Sequence, residues 1–230
     1  FPLAPPQISE FPRVNYFMKL SDNLHLITFL NNIFDTNLAF ASEHGEAFFD
    51  SFRDDQTPQV TVLKCSDSRV QMESFDKTPQ NGIFAIRNIG NQITTCEGSI
   101  DFGIRILKTP FLLIIGHSGC GAVQSVLSGQ PTNIKAIDNE LKSLKLSETD
   151  MKLAIVENVN NQVNLAIDKY KDLIHNNLLM VLGTIYDFKN DFGFGKGKMV
   201  FVSINEERDG KKIRQQLGIT VKNLNFLNLH

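Results

Sequence analysis

Apolar residues along this chain repeat with two periods. Leu26, Phe29, Leu30 and Ile33 fall at helical spacing, and the pattern runs on through LHLITFLNNIFDTNLAFASEHGEAFFDSF, which predicts a helical segment. Residues 1–24 before it, with prolines crowded into the first dozen, read as an irregular arm. Pro58 closes the polar turn RDDQTP. QVTVL (59–63) then reads as a buried strand rich in β-branched residues. GIFAIRN (82–88) is a second strand candidate, and Ile100, Ile104 and Leu107 of CEGSIDFGIRIL (96–107) share a helical face. FLLII (111–115) is continuously apolar, as a parallel strand covered on both faces would be. GAVQSVLSG after it has helical character and stops at Gly129.

Further helices are predicted at NIKAIDNELKSL and around 150–174, where Ile155, Val159, Val163 and Ile167 recur every four residues. NLLMVLGTIYD (177–187) and KMVFVSINE (198–206) read as strands, joined by a glycine-rich DFGFGKGK suited to a hairpin connection. Strands alternating with helices predict an α/β fold, a mainly parallel central β-sheet flanked by helices. The last two strands, so closely spaced, pair antiparallel at an edge. No repeat, low-complexity tract or linker breaks the pattern, so residues 1–230 read as a single domain.

Composition narrows the function classes. Hydrophobic residues make up 42% of the 230, enough for a sizeable core, and the formal net charge of −2 comes from acids and bases mixed along the chain. No basic stripe supports a nucleic-acid partner, and no apolar run is long enough to span a bilayer. The three cysteines, Cys65, Cys96 and Cys120, form no disulfide framework. The chain begins FPLAPPQISEFP without an initiator methionine. The compartment is therefore read as either cytoplasmic or, after removal of a signal peptide, exported.

The candidate chemistry sits in LKCSDSRV (63–70) and IIGHSGCGAV (114–123). If the chain stays extended past residue 65, period-two alternation sets Cys65, Asp67 and Arg69 on one face, at the carboxyl end of a parallel strand, where open sheets bind ligands. His117 and Cys120 follow the other buried strand at i, i+3 spacing, on one side of a first helical turn. Two thiols and an imidazole suit Zn²⁺, and three protein ligands leave a fourth position for water. A carboxylate at Asp67 could orient that water, or displace it, and a bidentate pair with Arg69 would restrain it. The competing reading is that both cysteines are small buried apolar residues. Cys96 reads as a spare thiol, and His25, His44, His175 and His230 show no ligand-like spacing.

CSDSRV followed by HSGCGAV resembles the β-class carbonic anhydrases. FAIRNIGN (84–91), GSIDFG (98–103) and GTIYD (183–187) match that family's order, over roughly residues 55–205. The resemblance implies one Zn²⁺ per chain held by Cys65, His117 and Cys120, with Asp67 and Arg69 as a catalytic dyad. It implies that Gln56 hydrogen-bonds substrate and that Phe84, Ile89 and Phe102 line a CO₂ pocket, Phe102 replacing the commoner tyrosine. Val62 stands where some members carry a tryptophan of an allosteric bicarbonate site, which implies the non-allosteric type. The implied activity is reversible hydration of CO₂ to bicarbonate and a proton by zinc-bound hydroxide. The implied assembly is a homodimer or dimer of dimers, with the Phe-rich N-terminal segment up to residue 52 packing on the partner. Action on carbon disulfide or carbonyl sulfide, and a zinc-bearing binding protein without turnover, are the alternatives.

Overall fold

The computed structural model describes residues 23–217 and 225–227, so most of the expected arm and His230 lie outside the described residues. The chain falls into two compact units, divided between Asp55 and Gln56. The first contains α1 (Leu24–Asp50), capped by Asn23, whose side chain accepts the Leu26 N–H at 3.0 Å. The helical path breaks at Gly45, where φ is 71°, a conformation glycine enters without steric cost. Around the break, the rings of Phe40, His44, Phe48, Phe49 and Phe52 pack on one another, the phenylalanines edge to face, with centroids 4.0–6.3 Å apart.

The second unit is built on a six-stranded sheet. Its strands are β1 (Val60–Cys65), β2 (Ile83–Asn88), β3 (Phe111–His117), β4 (Met180–Asp187), β5 (Lys198–Ile204) and β6 (Asn225–Phe226), in spatial order β2-β1-β3-β4-β5-β6. The first four pair in parallel, β5 runs antiparallel to β4, and the two-residue β6 pairs parallel to β5. The expected mainly parallel α/β sheet with one antiparallel pair is therefore present. Between β2 and β3, α2 (Glu97–Asp101) runs into one π-helical turn over Phe102–Ile106. Between β3 and β4 lie α3 (Gly121–Ser128), α4 (Lys135–Leu141) and α5 (Met151–His175). After β5 comes α6 (Gly210–Leu217). No described helix is long and apolar enough to cross a membrane.

Register fixes what meets at the sheet's end. Cys65 pairs with Asn88, and His117 pairs with Tyr186. The carboxyl ends of β2, β1, β3 and β4 thus lie side by side, the edge where parallel sheets bind ligands. α5 sits close against this sheet because β3 and β4 carry glycines beneath it. A Cβ on Gly183 would come within 2.6 Å of Ser203 Oγ and 3.0 Å of Val163 Cγ2. Gly183→Ala is therefore expected to cost about 1–3 kcal/mol by overpacking. Urea unfolding checks this; an unchanged midpoint would mean that helix and strand separate freely.

Candidate metal centre

Cys65 ends β1, His117 ends β3, and Cys120 stands immediately before α3 as its N-cap. Between the last two, Gly119 takes φ 63°, which turns the chain back so that both side chains reach the same point. The two sulfurs and the imidazole come together with their ligand atoms within 4.8 Å of one another, all three residues buried.

The histidine tautomer follows from its partner. Nδ1 lies 3.1 Å from the Ser118 carbonyl oxygen, which can only accept, so Nδ1 carries the hydrogen. Nε2 is then a bare acceptor, and it is buried without a partner among the described residues. A buried polar atom left alone is uncommon and calls for an occupant. The donor set fits a borderline-soft divalent metal ion.

The thiols are prepared for the same occupant. Cys65 is held well below the usual thiol range, chiefly by the hydrogen bond from Cys120, then by His117 and the backbone amides of Gly90 and Asp67, against the opposing effect of burial. Cys120 is pushed up because its S–H donates a hydrogen bond to the Cys65 sulfur and because it is itself buried. The pair thus shares a proton that a doubly charged cation would displace.

Asp67 and Arg69 meet beside this triad, by a route that differs from the expected one. The chain does not stay extended beyond Cys65: Val70 N–H bonds Asp67 O at 3.0 Å, closing a turn. The Asp67 carboxylate accepts the Arg69 backbone N–H at 2.9 Å, an Asx turn that folds residue 69 back onto residue 67. The guanidinium then binds both carboxylate oxygens, Nε to Oδ1 at 2.9 Å and an amino nitrogen to Oδ2 at 2.6 Å. Arg69 holds Asp67 well below the usual carboxylate range, so it stays ionised. Oδ2 lies 3.8 Å from His117 Nε2, at the mouth of the triad.

Several supporting residues escaped the sequence reading. Phe188, just past β4, lies under the Arg69 guanidinium at 4.6 Å and stacks on the His117 ring with centroids 6.0 Å apart. Its place at the same sheet edge as the ligands was the available signal. Arg87 donates to the Asp67 carbonyl at 3.0 Å. Lys64, fully buried in β1, donates to the Val70 carbonyl and pins the far end of the turn. A lysine inside an apolar strand was a visible anomaly.

Burial, and then the charge of Arg87, lower the Lys64 amine from 10.5 to about 8. Between those values the unfolded chain holds a proton that the folded chain has lost, so stability rises with pH across the window. The rise from this group is at most about 3 kcal/mol. Urea unfolding at about pH 8 and about pH 10.5 should show it in the wild type and not in Lys64→Met; equal pH dependence in both would contradict it.

The four expected substrate contacts are not gathered in one place. Ile89 follows β2 directly and packs on the core near Cys65's register level. Phe84 and Phe102 stack on each other with centroids 5.8 Å apart, at the level of Thr61. That is four residues back along β1, or roughly 13 Å from Cys65. Gln56 is exposed before β1. His25 and His175 are exposed, and half-buried Cys96 donates to Gln92 O at 3.1 Å while burial pushes its thiol up to about 11.

Curated relatives are carbonic anhydrases. One from Mycolicibacterium smegmatis is 36% identical over 74 residues, 32% of this chain and 36% of the relative. One from Emericella nidulans is 30% identical over 122 residues, 50% of this chain and 53% of the relative. The chain thus spans about half or less of the length of the curated relatives it matches. Among solved structures, one of two tetrameric β-carbonic anhydrases from Sordaria macrospora superposes with a TM-score of 0.61 at 23% identity, covering 78% of this chain and 96% of that one. The family model described as carbonic anhydrase matches residues 60–193. That stretch covers more than half of the chain, runs from the first residue of β1 past the end of β4, and takes in both ligand-bearing loops, so the chain belongs to the β-carbonic anhydrase family.

Proposed function

We propose that this chain is a zinc-dependent carbonic anhydrase that interconverts CO₂ and bicarbonate. The observation that carries the reading is the unpartnered His117 Nε2 facing two thiols, beside a carboxylate held at both oxygens by an arginine. Zinc held by Cys65, His117 and Cys120, one per chain, would acidify a bound water to near neutrality, as is known for carbonic anhydrases.

The chain's own residues do the rest. Asp67, kept ionised by Arg69, accepts a hydrogen bond from the attacking water at Oδ2 and so aims its lone pair. Arg69, clamped by the Phe188 face and by the Gly119 carbonyl at 3.3 Å, keeps Asp67 from turning inward as a fourth ligand. Ile89 would provide an apolar wall for CO₂ beside the chain's own metal centre, with Phe84, Phe102 and Gln56 reaching it from a second copy of the chain.

The separation of the Phe84–Phe102 pair from Cys65 supports a site completed by a second copy of the chain. The assembly we propose is a homodimer, or two dimers paired, with the α1 segment packing on the partner. Exposed Phe29 and Phe34 on α1 favour this, as does the tetrameric state of the Sordaria macrospora proteins. Asp67→Asn is the test: it should keep zinc and lose about 10²-fold or more in CO₂ hydration. A protein that merely stores zinc would have no such activity to lose.

A further inference from the structure

α5 presents an apolar stripe of Ala154, Ile155, Val159, Val163 and Ala166 to the sheet, yet two amides, Asn158 and Gln162, are buried in the same surface at 1% and 2% exposure. Burying an amide in an apolar layer costs stability unless it is fully bonded, so these two need a reason.

Their partners lie in one short segment. Asn158 Nδ2 donates to the Gly90 carbonyl at 3.1 Å and to Asn91 Oδ1 at 3.4 Å. Gln162 Oε1 accepts the Ile93 N–H at 2.8 Å, and its Nε2 donates to Asn158 Oδ1 at 3.3 Å. The two side chains therefore act as a unit, gripping both ends of residues 90–93.

That segment follows β2, whose last residue, Asn88, pairs with Cys65. Gly90 and Asn91 take φ 79° and 50°, consecutive left-handed residues that the sheet does not hold. The Gly90 turn is also packed tightly: a Cβ there would lie 3.1 Å from both Ala122 Cβ and Leu144 Cδ1. The turn thus leaves β2 beside Cys65, whose next residue, Ser66, donates its N–H to the Asn88 carbonyl at 2.9 Å, and it packs on Ala122, two residues past Cys120, while its Gly90 carbonyl is the group Asn158 holds.

We infer that Asn158 and Gln162 are positioning residues for the metal centre, fixing from α5 the backbone turn packed between the Cys65 end of β1 and the first turn of α3 that follows Cys120. Outer partners of this kind are worth about 10–100-fold in metal affinity. The inference rests on the metal reading proposed above. A wild type that takes up no zinc would defeat that reading; a wild type that binds zinc, with variants that bind it equally well, would defeat only this one.

The experiment uses full-length Asn158→Leu and, as control, Val163→Ala, a cavity on the same face of α5. Zinc affinity is measured by chelator competition, thermal stability in parallel, and the sulfur-to-metal charge-transfer band in the cobalt-substituted proteins. Asn158→Leu should hold zinc about 10–100-fold more weakly and shift the band, whereas Val163→Ala should lower stability and leave both unchanged. Equal zinc affinity and an unmoved band in Asn158→Leu would reduce the pair to packing and overturn the inference. If that variant does not fold, Gln162→Met, which releases the Ile93 N–H from the other end of the turn, is read in the same way: weaker zinc binding and a shifted band support the inference, and unchanged values overturn it.

Discussion

Cys65→Ser is expected to empty the metal site while leaving the chain folded. The substitution is nearly isosteric, and Cys65 is a buried strand-end residue whose neighbours need its volume. What it removes is the thiolate. A serine hydroxyl stays protonated at neutral pH and cannot replace a sulfur that its surroundings hold ionised through Cys120, His117 and two backbone amides. The loss in zinc affinity should exceed the roughly 100-fold attached to outer partners, and CO₂ hydration should go with it. Cys96→Ser is the matched control: Cys96 bonds Gln92 and Asn88 and should keep both metal and activity. Metal analysis after dialysis reads the result, and full zinc retention by Cys65→Ser would contradict the ligand assignment.

Arg69→Ala should keep the metal and lose the chemistry. Both oxygens of Asp67 are occupied by one guanidinium, itself seated on Phe188. Without it the carboxylate is released 3.8 Å from His117 Nε2, free to swing onto the ion and close the fourth position. Losing that orientation should cost about 10²-fold in CO₂ hydration at neutral pH. X-ray absorption on the zinc-loaded variant should show an added carboxylate oxygen in place of water. Undiminished activity at neutral pH would refute the restraining role of Arg69.

The parts of this site that were legible in the sequence are those fixed by strand ends and side-chain type. FLLII and QVTVL announce themselves because parallel strands buried on both faces must be continuously apolar, and the candidate ligands are the first cysteine after QVTVL and the first histidine and cysteine after FLLII. The extended path supposed for residues 65–69 gives way to a turn because period-two alternation binds only residues in a ladder. Past Cys65 the Asp67 side chain offers the backbone a competing partner. Segments α6 and β6 gave no signal: GKKIRQQL is dominated by polar residues around buried Ile213, and β6 is two residues long. Phe188 under Arg69 and Phe84 against Phe102 are contacts between distant segments, which local periodicity cannot carry.

The central proposal is that zinc held by the Cys65, His117 and Cys120 triad, beside the Asp67–Arg69 pair, converts CO₂ to bicarbonate. Stopped-flow CO₂ hydration by protein carrying one zinc per chain, followed between about pH 7 and pH 9, tests it most directly. The account predicts fast hydration that disappears when a chelator strips the metal. A fully zinc-loaded protein that is inert across that range would contradict it.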